Sequence, residues 1–410
     1  MLTSDYCKII CNHAKRRIIV ILLFIMGTTF GYSQISPDSL KEQIDIHDGK
    51  INALDERVLL NESDLGKLNK IKLSGYIQAQ FEDYQTDLVK TNEAFNSFYL
   101  RQTRIKFTYE VSDGIKFLLQ SDFSTGNLKL KDAYAVVNLP KLKEFSLWAG
   151  QFNRPNYEVE YSSSQREVFE RSRLIRTIYP GEREIGAKLE YKSSQIPLKV
   201  QLAVLNGNFT GTQAKDIDSH KDIMPRATYS IKLPSAGLGI DLGVHGYYGS
   251  LGAKQKYISS YENKPDSVNV GSQLDRQWAG AELQVYFDFL GGMSLKGEYI
   301  QGKNVFSGDS KTNPYRLRNF SGYYAYFIKN IGNKNQFVIK HDLFDPNSKL
   351  SGDDSESDVR YTTITLAWQY YLNEYIRISI NYEMPENETN ATVPNELKDN
   401  VFGVRIQAKF

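Results

Sequence analysis

Between residues 153 and 182 the chain places Arg154, Arg166, Arg171, Arg173 and Arg176, with Arg183 immediately beyond. Guanidinium groups stay charged at any physiological pH and present forked donors that match the geometry of phosphate and carboxylate. A run of them along a water-filled passage favours anions, provided that binding at each station is weak enough for release. Arg171, Arg173 and Arg176 form the densest group, with no acid between them. The same stretch carries Glu158, Glu160, Glu167, Glu170 and Glu182, so its net charge is close to zero. Ion pairing inside it is therefore the alternative use of those arginines, and opposed charges across a pore would give a transverse field with modest selectivity.

A long connection of this kind needs a rigid frame, and the rest of the chain supplies one. From residue 71 onward apolar and polar residues alternate: Leu73, Ile77, Ala79 and Phe81 against Lys72, Ser74, Gln78 and Gln80. Ile105, Phe107, Tyr109 and Val111 likewise oppose Arg104, Lys106, Thr108 and Glu110, and the last residues oppose Phe402, Val404, Ile406, Ala408 and Phe410 to Gly403, Arg405, Gln407 and Lys409. Period-two polarity gives a strand one face for hydrocarbon and one for water. Strands are expected near 71–83, 98–111, 114–124, 129–138, 144–152, 183–192, 197–206, 224–233, 238–250, 274–289, 293–303, 318–330, 335–345, 358–372, 375–384 and 400–410. Sixteen is an even number, as bacterial membrane barrels have, and short connections such as 290–292 alternate with long ones such as 251–273. A barrel of this size leaves an aqueous lumen. The predicted fold is all-β: a 16-stranded antiparallel transmembrane barrel preceded by a short N-terminal coiled-coil helix.

Composition agrees. The 410 residues carry a net charge of +2 and are 41% hydrophobic, with 27 Tyr, 21 Phe and 29 Gly. No interior run approaches the roughly 20 apolar residues that a spanning helix requires, whereas half of every barrel strand is polar. The aromatic residues Trp148, Tyr247, Tyr248, Trp278, Tyr286, Tyr323, Tyr324, Trp368, Tyr370 and Tyr371 are expected as girdles at the lipid boundary. The acidic run Asp353, Asp354, Glu356 and Asp358 reads as a solvated outer loop, its spacing matching no calcium loop.

Residues 1–33 read as a secretory signal: Lys15, Arg16 and Arg17, then an apolar run from Ile18 to Met26, then small residues ending at Ser33. Both cysteines, Cys7 and Cys11, precede that run, so a chain cleaved after Ser33 has no disulfide. Residues 34–70 read as a periplasmic coiled coil, with Ile44, Ile51, Val58 and Leu65 at one heptad position and Leu40, His47, Leu54, Asn61 and Leu68 at the other. The barrel occupies 71–410.

The segment Trp148-Ala-Gly-Gln-Phe-Asn-Arg-Pro-Asn-Tyr157, followed by Glu170-Arg-Ser-Arg-Leu-Ile-Arg176 and Gly181-Glu-Arg-Glu-Ile-Gly186, resembles the phosphate-selective porin O and P family. Arg101 and Arg104, Lys131-Asp-Ala-Tyr134, and Asp222 followed by Arg226 agree with it. The resemblance covers 71–410 and implies a trimer of 16-stranded barrels in the outer membrane of a Gram-negative bacterium. It also implies a pore narrowed by inward-folded loops and lined by arginine and lysine. The expected anion-binding lining is Arg101, Arg104, Lys106, Arg154, Arg166, Arg171, Arg173, Arg176, Arg183 and Arg226. Expected partners are outer-membrane lipid, small inorganic anions, sister subunits, and the barrel-assembly machinery through the strand ending in Phe410; nucleic acid is not among them. No cofactor and no metal site is expected.

Catalysis has little support, since the only histidines after residue 33 are His47, His220, His245 and His341, with no triad or metal spacing among them. Two competing readings remain: a barrel hydrolase using His245 or His341 as general base, and a non-conducting scaffold or adhesion barrel.

Overall fold

The computed structural model describes Lys70–Phe410 apart from residues 86–93, 125, 209–214, 217, 261–264, 289–290, 308–314, 350–357 and 392, together with isolated positions 50, 55 and 57. The signal segment expected over 1–33 lies outside the described residues, and so does the coiled coil expected over 34–70 except at positions 50, 55, 57 and 70.

Among the described residues eighteen strands follow one another. They are β1 (Ile71–Tyr84), β2 (Asn96–Ser112), β3 (Ile115–Asp122), β4 (Lys129–Leu139), β5 (Leu142–Asn153), β6 (Arg183–Lys192), β7 (Leu198–Leu205), β8 (Asp222–Leu233) and β9 (Leu238–Gly252). Then come β10 (Tyr257–Ser259), β11 (Pro265–Ser267), β12 (Gln273–Phe287), β13 (Met293–Ser307), β14 (Tyr315–Ile331), β15 (Asn335–Asp345), β16 (Tyr361–Tyr371), β17 (Ile376–Asn387) and β18 (Val401–Lys409). Strands β10 and β11 form a small hairpin inside one long connection, which the alternation pattern does not reveal. The other sixteen each pair antiparallel with their neighbours, and β1 pairs with β18 from Tyr76 opposite Lys409 to Tyr84 opposite Val401, so the sheet closes. Closure removes every unpaired strand edge, which hydrocarbon requires because nothing there can satisfy a free N–H or C=O.

Side-chain parity sorts the two faces. Leu73, Phe107, Leu119, Leu202, Val244, Leu295, Ile339 and Ile406 are exposed on the outer wall, while Gln78, Gln80, Arg104, Gln201, Glu282, Lys340 and Arg405 are buried inside. Tight connections 113–114, 140–141, 193–197, 234–237, 288–292, 332–334 and 372–375 occupy the rim that also holds the C-terminus.

Of the four register shifts in the described ladder, two re-aim charged residues. In β2, Gln78 of β1 faces Gln102 while Ala79 faces Leu100, leaving Arg101 unpaired. In β4, Gln120 faces Asp132 while Ser121 faces Leu130, leaving Lys131 unpaired. An extra residue in one strand re-aims the side chains around it.

The interior is not a uniform water column. Phe152, Leu174, Ile175, Ile178, Tyr179, Tyr247, Trp278, Phe320, Tyr324 and Phe344 belong to one buried apolar cluster within the ring. This corrects the expectation for the aromatics: Tyr247, Trp278 and Tyr324 are buried inside rather than set at the lipid boundary, whereas Tyr248 and Tyr299 are exposed on the outer wall.

Candidate functional site

The connection from Arg154 to Glu182 turns back into the barrel. It contains two short helices, α1 (Tyr157–Glu160) and α2 (Arg173–Ile178). Asn156 caps α1 by accepting from Val159 N at 3.3 Å, and Ser172 caps α2 by accepting from Ile175 N at 3.3 Å. The apolar face of α2 sits on the wall, where Gly322 of β14 makes room for Leu174: a Cβ there would lie 3.1 Å from Leu174 Cδ1. Trp278 Nε1 donates to Tyr179 Oη at 2.9 Å, and the Trp278 and Tyr247 rings stack at 3.9 Å. One side of the loop is thus sealed to β9, β12, β13 and β14 by dry packing.

Polar contacts fasten the loop both to β13 and β14 and to β18, β1 and β2. Asn156 Nδ2 donates to Glu298 of β13 at 2.6 Å, and Tyr326 of β14 to Glu158 at 2.6 Å. Lys296 of β13 meets Glu167 at 2.8 Å, Gln407 of β18 donates to the Ser164 carbonyl at 3.0 Å, and Gln78 of β1 to the Ser163 carbonyl at 3.3 Å. Arg101 of β2 donates to Glu170 at 2.6 Å. A loop held on so many sides of the ring is a constriction.

The ten expected lining residues divide by what neutralises them. Arg154 and Arg171 are part of the loop's own framework: Arg154 binds Glu184 at 2.5 Å and the Pro180 carbonyl at 3.0 Å. Arg171 donates to the carbonyls of Glu158, Val159 and Tyr161 and pairs with Glu182. Arg104 pairs with Asp122 at 2.9 Å, Arg183 with Asp132 at 3.0 Å and with Glu182, and Arg226 with Glu160 and Glu282, both at 2.8 Å. Arg101 shares Glu170. Lys106 shares the inner face of β2 with Arg104.

Three others are less compensated. Arg176 is exposed and reaches Glu383 only at 3.8 Å. The guanidinium of Arg173 lies 3.6 Å over the Tyr361 ring. Arg166 is 5% exposed, its side chain donates to Ser163 Oγ, and its Nε has no acceptor. The sequence cluster Arg171, Arg173 and Arg176 is therefore split, the first residue inward and the other two on α2.

Arg377 of β17 and Arg405 of β18 join Arg166 at this place. Strand parity turns both toward water, but nothing in their spacing ties them to the loop. Arg405 lies 3.9 Å over the Phe169 ring, and Gly403 admits that ring, since a Cβ on it would lie 2.6 Å from Phe169 Cε2. Lys131, turned in by the β4 bulge, lies within electrostatic reach of Arg104 and Arg183.

The loop acids record this field. Burial alone would raise the Glu170 carboxyl, but Arg101, Arg166 and Arg176 outweigh burial and hold it down at about 2. Glu182 is held low in the same way by Arg171, Arg183 and Arg166. At Glu158 burial prevails and the carboxyl is raised despite Lys340 and Arg171. Burial also pulls Arg166 down to about 10, with Arg171 adding to the effect. Among the described residues no group of three or more histidine, cysteine or acidic side chains could hold a metal.

No curated protein matches the chain. Solved structures match it across the barrel. Pseudomonas putida OprB superposes with a TM-score of 0.60 at 12% identity, covering 86% of this chain and 97% of that one. An anion-selective porin from Comamonas acidovorans gives 0.54 at 13% identity, with 83% and 99% covered. The outer membrane channel DcaP of Acinetobacter baumannii gives 0.52 at 13%, with 83% and 97% covered. These likenesses establish the fold. The family described as phosphate-selective porin O and P matches residues 71–410, and with the closed 16-stranded ring and its inward loop this chain belongs to that family of outer-membrane porins.

Proposed function

We propose that the protein is a passive diffusion channel of the Gram-negative outer membrane that prefers anions, with phosphate and polyphosphate the favoured class. The observation that carries this reading is the group Arg166, Arg377 and Arg405: three buried guanidinium groups inside the ring, none with a carboxylate oxygen within 4.0 Å among the described residues. Each unpaired buried charge costs several kcal/mol unless a counter-ion or water meets it. Arg104, Arg154, Arg183, Arg226 and Lys340 each have an acid beside them, so selectivity concentrates where such pairing is lacking. Ten lining residues set out above thus serve unequally, with Arg166, Arg173, Arg176 and Arg101 nearer the anion path and Arg154 and Arg171 fixing the loop.

The functional unit in this reading is a homotrimer, with residues 34–70 in the periplasm and Phe410 presented to the assembly machinery. Neither competing reading gains an observation. His245 is enclosed in the wall, its Nε2 2.6 Å from Glu298 Oε1, and His341 stacks on Tyr323 at 5.6 Å.

The test is a planar bilayer with a salt gradient. Stepwise ohmic currents with a reversal potential of anionic sign are expected, and Arg166→Gln with Arg405→Gln should move that potential toward zero. A cation-preferring channel, or no steps at all, would reject the reading.

A further inference from the structure

Four guanidinium groups lie where the loop touches β1, β2, β17 and β18, and Glu170 makes the one direct ion pair with them among the described residues, while Glu82 and Glu182 lie in wider electrostatic reach of Arg101 and Arg166. Glu170 pairs with Arg101 at 2.6 Å. Arg405 lies within electrostatic reach of Glu170, Arg166, Arg101 and Arg377 together. The remaining contacts are neutral: Arg166 donates to Ser163 Oγ, Arg405 Nε to Gln80 Oε1, and Arg377 to Gln369 Oε1 at 2.9 Å and Gln407 Oε1 at 3.2 Å. Donors are left over. Among the described residues Arg166 Nε, Arg377 Nε and Arg405 Nη2 are buried without an acceptor, on residues 5%, 6% and 3% exposed.

These groups come from two bodies. Arg166 belongs to the loop, and Arg377 and Arg405 to the wall. Besides the Arg101–Glu170 ion pair, bonds between neutral groups tie this part of the loop to the wall: Gln78 and Gln407 to the Ser163 and Ser164 carbonyls, and Phe169 N to Asn381 Oδ1 at 3.5 Å. Like charges facing each other across that seam push it apart, and an anion between them reverses the sign.

We propose that a small oxyanion binds in the seam between Arg166 of the loop and Arg377 and Arg405 of the wall, and that its presence clamps the loop in its inward position. This rests on the anion-channel reading and adds a second role to the permeating ion, that of ligand to its own gate. An oxyanion suits the seam better than chloride because it offers several acceptor oxygens to N–H groups arriving from different sides. Glu170 is the built-in partial substitute, neutralising one of the four cations and limiting how tightly the ion is held.

A ligand that binds the folded state alone raises its stability with the logarithm of concentration once above the dissociation constant. The full-length protein in detergent, titrated with inorganic phosphate at constant ionic strength against a bulky sulfonate, should therefore show a rising unfolding temperature. Arg166→Gln should weaken the apparent phosphate affinity about tenfold, the loss of one charge-assisted hydrogen-bonding group. Glu170→Gln should strengthen it. Arg405→Gln is the matching wall variant, and if it fails to fold the loop variant still decides. An unfolding temperature indifferent to phosphate, or a phosphate response unchanged in Arg166→Gln, overturns the clamp. A channel that prefers anions in the bilayer yet ignores phosphate in the melt sinks the clamp alone, whereas a cation-preferring channel sinks both proposals.

Discussion

Two arginines five positions apart show how little residue type says about role. Arg171 is consumed by three carbonyls and Glu182, and its removal would take that donor from the backbone carbonyls of Glu158, Val159 and Tyr161. Arg166, buried to a similar degree, forms no direct ion pair among the described residues. Asp399, in the connection between β17 and β18, has the opposite problem. Burial pushes its carboxyl up to about 6, Glu396 and Glu383 add to that against Arg173, and its Oδ1 lacks a partner. The folded state then holds the proton more tightly than the unfolded chain does, so this residue's effect on stability worsens as pH rises from about 4 through about 6. Asp399→Asn is expected to raise the unfolding temperature near pH 8 and to leave it unchanged near pH 4, as read by circular dichroism. Equal melts of both proteins at the higher pH would count against the assignment.

The loop and its helix α2 are where the elements decide the pore. Strand patterning makes a ring, but the apolar side chains of α2 convert part of the lumen into packed interior against β12–β15. Leu174 and Ile178 are fully buried there, and trimming each to alanine should cost about 2–5 kcal/mol of local packing. Because the ring is held by its own ladder, the expected outcome of Leu174→Ala with Ile178→Ala is an intact barrel whose single-channel current is larger or noisier. An unaltered current would mean that the polar tethers alone hold the loop. The bulge in β2 is the second elementary device. Arg101 and Arg104 are three apart, an odd spacing that regular alternation would put on opposite faces, and the inserted residue lets both pair with lumenal acids, Glu170 and Asp122.

On the scale of the whole molecule, closure between the first and last strands is the condition for everything else. Phe410 donates to and accepts from Gly75 at 3.0 Å in both directions, and its ring occupies the space beside Gly75, where a Cβ would lie 2.6 Å from Cζ. Deleting Phe410 removes two bonds of the closing ladder in a medium that offers no replacement. Folded, heat-modifiable barrel recovered from outer membranes should fall markedly, and an undiminished yield would show that closure does not depend on the terminal residue.

What the chain alone determined is the ring. Period-two polarity is a local property, each residue's face being fixed by its neighbours, so strand spans such as 183–192 and 335–345 are legible to the residue and the water-facing side of Arg377 and Arg405 follows. The arginine-rich stretch between β5 and β6 was equally visible as the place where charge accumulates. Which of those arginines are paired was decided by tertiary structure, because ion pairs such as Arg226 with Glu282 and seams such as Arg166 with Arg405 join residues far apart in sequence. The bulges at Arg101 and Lys131, and the inward turn of Tyr247, Trp278 and Tyr324, were likewise hidden. An inserted residue leaves no mark on composition, and an aromatic side chain suits a lipid boundary and a dry interior equally well until another element arrives to cover it.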